Sequence, residues 1–186
     1  MIIFVGGIIG AGKSTIAKGL ASHFGFPYYD VDEIKKEVFS KDPNYERNIA
    51  EGIPFGDELR REVFKRVFEN LEQLVAEHPH IVVDETLHKR EIRHFLYEEA
   101  ERIAGGFLVI WVQAQEETIL ARLGAGKRSG HFLSDPLPLH DAFKREFEEY
   151  DRCIIDCHNN GTAEETVADL VHLFENIAAI TNSAAS

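Results

Sequence analysis

The chain has 186 residues, of which 44% are hydrophobic and 28% charged, a composition that fits one globular domain with its own core. A formal net charge of -12 repels polyanions, which disfavours a large nucleic-acid partner. No apolar run is long enough to span a bilayer, and the first strand-like run begins at Ile2, leaving no room for a signal or transit peptide; a cytoplasmic protein is expected. Cys153 and Cys157 stand four apart in a strand-like stretch, roughly 13 Å when extended, too far to bridge. They read as reduced core thiols, with a zinc site including His158 as the lesser alternative.

Strand-like and helical runs alternate along the chain, which predicts a parallel sheet with helices on both faces. Ile2-Ile3-Phe4-Val5 is a buried-strand run. Gly7 to Thr15 follows with the phosphate-loop pattern G-x-x-x-x-G-K-[ST], its fixed positions filled by Gly7, Gly12, Lys13 and Ser14. Ile16 and Leu20 then open a helix that Gly25 caps. Tyr28 to Asp32 is expected as the second strand, Glu33 to Phe39 as a helix, and Lys41 to Asn44 as a turn leading into a polar connection. Gly52 to Gly56 breaks the chain before a helix from Asp57 to about Glu77, striped by Leu59, Val63, Val67, Leu71 and Leu74. His80 to Thr86 is the third strand and Lys89 to Arg102 the next helix. Phe107 to Val112 is a continuously apolar central strand, in which Trp111 reads as core. Glu116 to Leu123 is helical, and the glycine-punctuated stretch 124–138 reads as a mobile lid. Leu139 to Tyr150 is expected as a helix, Cys153 to Asp156 as the fifth strand, and Ala163 to Ile180 as the last helix, with a frayed tail over 181–186. Nothing divides residues 1–180 into more than one domain.

The chemistry follows from residue type and position. Glycines let the loop amides approach phosphate oxygens, and the helix behind them adds free N–H groups. Gly10, Ala11, Gly12, Lys13, Ser14 and Thr15 therefore form the nucleotide cradle, with Lys13 as a point charge and Ser14 as a magnesium ligand. In open parallel sheets ligands bind at the carboxyl ends of the strands, where acidic residues fall. Asp30 and Asp32, two apart on an extended strand, would share one face some 6 to 7 Å apart. Asp32 is the candidate base and Asp30 a candidate metal ligand, against the plainer role of helix caps. Asp84 and Glu85 end the third strand and point oppositely; Asp84 is favoured for magnesium with Glu85 in reserve. Arg128, with Lys127, lies on the lid, where a closing cation would neutralise a transferring phosphoryl group. Arg90 and Arg93, beside His88 and Lys89, either grip an anionic substrate or pair with Glu98 and Glu101.

With these residues placed, the chain resembles the small P-loop kinases of the nucleoside-monophosphate-kinase type, in particular the shikimate, gluconate and chloramphenicol phosphotransferase branch. Asp30-Val31-Asp32 is similar to that branch's metal-and-acceptor pair. Asn48-Ile49 with Gly52-Ile53-Pro54-Phe55 and Asp57, Lys89-Arg90 with Arg93, and Gly130-His131-Phe132 followed by Phe143 are each similar to gluconate-kinase motifs. Val31, Glu85-Thr86-Leu87-His88 and Asp141-Ala142 depart from them. The resemblance implies a three-layer α/β/α P-loop fold with a five-stranded parallel sheet in the order 2-3-1-4-5. It further implies that Arg122 lies over the adenine or anchors the lid, and that Asn159 to Thr162 contact the base. The resulting expectation is an ATP- and Mg2+-dependent kinase, monomer or homodimer, that phosphorylates a hydroxyl of a small polar metabolite. The alternatives are a nucleoside monophosphate kinase, disfavoured because Asp32-Glu33-Ile34-Lys35-Lys36 lacks an arginine for the acceptor phosphate, and a nucleotide-gated regulatory module with slow ATPase activity.

Overall fold

A computed structural model of the chain describes residues 1–51, 53, 55–124, 137–152 and 154–184. Its sheet is built from β1 (Ile2–Gly6), β2 (Tyr28–Asp30), β3 (Ile81–Asp84), β4 (Phe107–Gln113) and β5 (Ile155–His158), all parallel, in the expected order β2-β3-β1-β4-β5. Between them run α1 (Lys13–Phe24), α2 (Val31–Phe39), α3 (Tyr45–Glu51), α4 (Asp57–Glu77), α5 (Arg90–Ala104), α6 (Glu116–Gly124), α7 (Leu137–Arg145) and α8 (Ala163–Ala184).

The strand residues sort by alternation, as a sheet covered on both faces requires. Ile2, Phe4, Ile81, Val83 and Val109 face one core with Val31, Val63, Val67, Leu71 and Leu96 from α2, α4 and α5. Ile3, Val5, Val82, Ile110 and Val112 face the other with Ile16, Leu20, Leu170 and Val171 from α1 and α8. Tyr97 stacks on Phe107 with centroids 4.3 Å apart, closing the first core under α5. No helix among the described residues is long and apolar enough to cross a membrane.

Four expected boundaries move, each for a visible reason. β2 stops at Asp30, because the Asp30 side chain accepts from the Asp32 amide at 3.0 Å and caps α2. Asp32 therefore sits in the first turn of a helix, not on an extended strand. β5 is displaced toward the C-terminus, pairing Val112 with Cys157, so that the Cys157 thiol packs in the second core as a small apolar group. α7 ends at Arg145, since Phe147 and Tyr150 turn in to pack on Trp111, each with centroids 5.0 Å away, and the Glu148 amide donates to the His88 carbonyl. α8 continues through residues 181–184, which had been expected to fray. The stretch read as a polar connection contains α3, a short helix with no buried residue. The lid expectation over 124–138 falls almost wholly on residues outside those described, as does Cys153.

Candidate active site

The pairing register brings Val5, Asp84 and Asp30 into one row at the carboxyl edge of β1, β3 and β2. β1 leads there into the phosphate loop. Gly12 starts α1 in the left-handed region, φ 96° and ψ 12°. A Cβ at that position would meet the Asn159 side-chain nitrogen at 2.3 Å, so both backbone and packing demand glycine. Lys13 is nearly enclosed, and its Nζ lies 3.7 Å from Asp84 Oδ1. Burial alone would depress its pKa; the carboxylates of Asp84, Asp32 and Glu85 outweigh that, and the ammonium titrates above its usual range. Asp84 is itself buried, and its second oxygen accepts from the Tyr28 hydroxyl at 3.0 Å. Tyr28 also stands 3.3 Å from Asp30 Oδ2, so one phenol links the two carboxylates at this edge.

Asp84 and Glu85 point oppositely, as adjacent residues at a strand end should. Asp84 faces Lys13, whereas Glu85 turns to Lys35 of α2, with Nζ to Oε2 at 2.7 Å. The same Lys35 ammonium lies 2.9 Å from Asp32 Oδ1. Asp32 is the open member of this chain, its side chain 48% exposed against 4% for Glu85. Between two carboxylates, Lys35 resists the burial that would discharge it and stays an ammonium, its pKa above the usual value. Asp30, in contrast, has one oxygen on the Asp32 amide and the other facing Tyr28. Its capping role is realised, and the extended-strand geometry from which it was read as a partner of Asp32 is replaced by a helix turn.

The corner between β3 and α5 is unusual. Leu87 is fully buried yet adopts φ 57°, a conformation costly for a branched side chain and one that concentrates at working sites. Arg93 holds this corner by donating to the Leu87 carbonyl at 3.0 Å and the Glu149 carbonyl at 2.8 Å, its guanidinium 4.3 Å from the Tyr150 ring centroid. Arg93, expected either to grip substrate or to pair with Glu98 and Glu101, has no exposed surface here and spends its guanidinium on backbone carbonyls. Arg90 points the same way, toward the Glu149 carbonyl and, at 3.8 Å, Asp151; Lys89 pairs with Glu146. Neither arginine pairs with Glu98 or Glu101 among the described residues. His88 stacks on Phe143 with centroids 4.2 Å apart, and its Nε2 is buried without a partner. Burial, with the charges of Lys35 and Arg60, pushes its pKa down to about 3.

Lys35 and Arg60 were not singled out in the sequence. Arg60, half-buried on the first turn of α4, forms no ion pair among the described residues. One available signal was that Lys35 lies one helical turn after Asp32. Arg122 donates to the carbonyls of Ala11 at 3.1 Å and Asn159 at 3.0 Å, tying α6 to the phosphate loop. Arg128 lies outside the described residues. Ser14, on the first turn of α1, and Asp84, whose buried Oδ1 lacks a hydrogen bond, are oxygen donors of the kind a hard divalent cation takes.

Strand, glycine loop and helix, with a lysine aimed at an acid on the neighbouring strand, define a P-loop nucleotide-binding domain of the architecture used by small-molecule kinases. The chain belongs to the AAA domain family, whose match covers residues 3–131. It is 28% identical over 149 residues to a probable gluconokinase of Mus musculus, an alignment covering 73% of this chain and 77% of that one. Among solved structures it superposes on a sugar kinase from Janibacter sp. HTCC2649 with a TM-score of 0.71 at 20% identity, covering 94% of both chains. A gluconokinase from Sinorhizobium meliloti 1021 gives a TM-score of 0.68 at 24% identity, covering 95% of this chain and 94% of that one. At these identities the structural likeness is one of fold.

Proposed function

We propose that the chain is an ATP-dependent kinase that transfers the γ-phosphoryl group to a hydroxyl of a small polar metabolite. One juxtaposition carries this reading: Lys13 beside Asp84 at the phosphate loop, and Asp32 beside Lys35 and Glu85 at the adjoining corner. The first pair suits the phosphates of a nucleotide. The second offers an open carboxylate, Asp32, whose charge a neighbouring ammonium sustains, as the acceptor of a hydroxyl proton. Ser14 and Asp84 would hold magnesium, which when bound supplies charge neutralisation at the β- and γ-phosphates. Arg60 would meet an anionic substituent of the acceptor, and Arg128 would stabilise the group in flight. The gluconokinase and sugar-kinase names among the relatives fit this class of acceptor.

The test is ADP release from MgATP, measured by a coupled assay with D-gluconate, D-glucitol, shikimate, glycerol, uridine and AMP offered separately. Turnover that depends on one of the non-phosphorylated hydroxyl compounds supports the proposal. AMP alone as acceptor would make the chain a nucleoside monophosphate kinase, and turnover indifferent to every acceptor would make it a regulatory ATPase.

A further inference from the structure

Two carbonyls of the phosphate loop are held from outside by side chains of the chain's C-terminal third. His140 of α7, fully buried, presents Nδ1 to the Ile9 carbonyl at 2.8 Å. Asn159, at the end of β5, donates to the Ala11 carbonyl at 2.9 Å, where Arg122 Nη1 joins it at 3.1 Å. Asn159 is itself fixed, because its side-chain oxygen accepts from Thr166 at 3.2 Å and its carbonyl from Arg122 at 3.0 Å. In a trans peptide the C=O and the following N–H point in opposite directions. No cis bond occurs among the described residues. Drawing the Ile9 and Ala11 carbonyls outward therefore turns the Gly10 and Gly12 amides the other way. Those two amides donate to no protein acceptor among the described residues.

We infer that His140, Asn159 and Arg122 are positioning residues that set the peptide planes of the phosphate loop in advance, aiming the Gly10 and Gly12 amides at the polyphosphate. A floppy glycine loop would otherwise lose conformational freedom on binding, and fastening it beforehand removes that cost from the affinity. A carbonyl only accepts, so His140 must carry its proton on Nδ1. The inference rests on the phosphate loop holding a polyphosphate, a premise it shares with the proposed function, and is independent of phosphoryl transfer.

Calorimetric titration with ADP, and separately with inorganic tripolyphosphate, which has no base to contact, tests it on wild type, Asn159→Leu, His140→Leu and His140→Asn. Each leucine variant is expected to bind both probes about tenfold more weakly, one hydrogen bond's worth. His140→Asn, whose side-chain amide can stand in for the Nδ1 donor, is expected to recover most of the loss, a rescue that lost packing alone would not give. In wild type, a long-range proton–nitrogen spectrum of the histidine rings is expected to show the Nδ1-protonated tautomer of His140, and this readout survives even if a variant fails to fold. Wild-type affinity in folded leucine variants, or an Nε2-protonated His140, would overturn the inference. Failure of wild type to bind either probe would overturn it together with the kinase reading. Tight binding with no acceptor-dependent turnover would sink only the latter.

Discussion

Lys35 shows how one residue changes the meaning of its neighbours. Asp32 and Glu85 are separated by more than fifty positions, and the ammonium between them makes them one unit. Removing it leaves Glu85 buried and unpaired, a costly state. Lys35→Met is therefore expected to lower kcat by at least tenfold and to destabilise the fold by about 3 kcal/mol. Glu85→Gln/Lys35→Met together should regain much of that stability, as urea titration would reveal. A double variant no more stable than Lys35→Met would contradict the pairing. His88 gives a pH dependence. Its folded pKa, about 3, lies below the ordinary value of 6.5. Below pH 6.5 the unfolded chain takes up a proton that the folded chain refuses, so stability falls as pH falls from 6.5 toward 3, by up to about 1.4 kcal/mol per pH unit from this residue. His88→Phe, which can still stack on Phe143, is expected to flatten that slope in urea midpoints measured from pH 7 to 4.5. An unchanged slope would mean that His88 is protonated in the fold.

At the level of elements, Asp30 and Gly19 separate structural roles from chemical ones. If Asp30 serves chiefly as the cap of α2, Asp30→Asn should preserve stability and Mg-ADP affinity, while Asp30→Ala costs about 1 kcal/mol. Loss of Mg-ADP affinity in Asp30→Asn would restore it as a metal ligand. Gly19 is where α1 and α8 touch: an added Cβ would lie 2.6 Å from Val167 Cγ2, a short, stiff side chain. Gly19→Ala, which helix propensity would favour, is instead expected to destabilise by about 1–3 kcal/mol. The phosphate loop, the apolar strands and the striped helices were readable because local pattern and tertiary role agree there. The end of β2 was not, since Asp30 suits a strand end and a helix cap equally until the Asp32 amide is seen to bond it. The inward Arg93 was also hidden: an i, i+4 cation pair reads as surface, and only the strained Leu87 carbonyl and the returning Glu149 explain its burial.

Across the whole molecule, the sheet order, compatible with right-handed crossovers, places the two acidic strand ends, Asp30 of β2 and Asp84 of β3, beside the phosphate loop. The two cores cover the sheet on opposite faces, while the phosphate loop that leads into α1 is held by side chains from α6, α7 and the residue after β5. A ligand held by so many elements should stabilise the fold as a unit. ADP at a hundred times its Kd is expected to add about 2.7 kcal/mol, raising Tm by roughly 5–11 °C. A melting temperature indifferent to ADP would contradict a site assembled across the fold.

The division of labour between Lys13 and Asp32 is the core of this account, and Asp32→Asn probes it most directly when nucleotide binding and acceptor-dependent ADP release are measured on the same sample, with Lys13→Ala as the comparison. Asp32→Asn is expected to bind MgATP as wild type does while losing turnover by at least a hundredfold, and Lys13→Ala to lose both. Transfer by Asp32→Asn at the wild-type rate would contradict it.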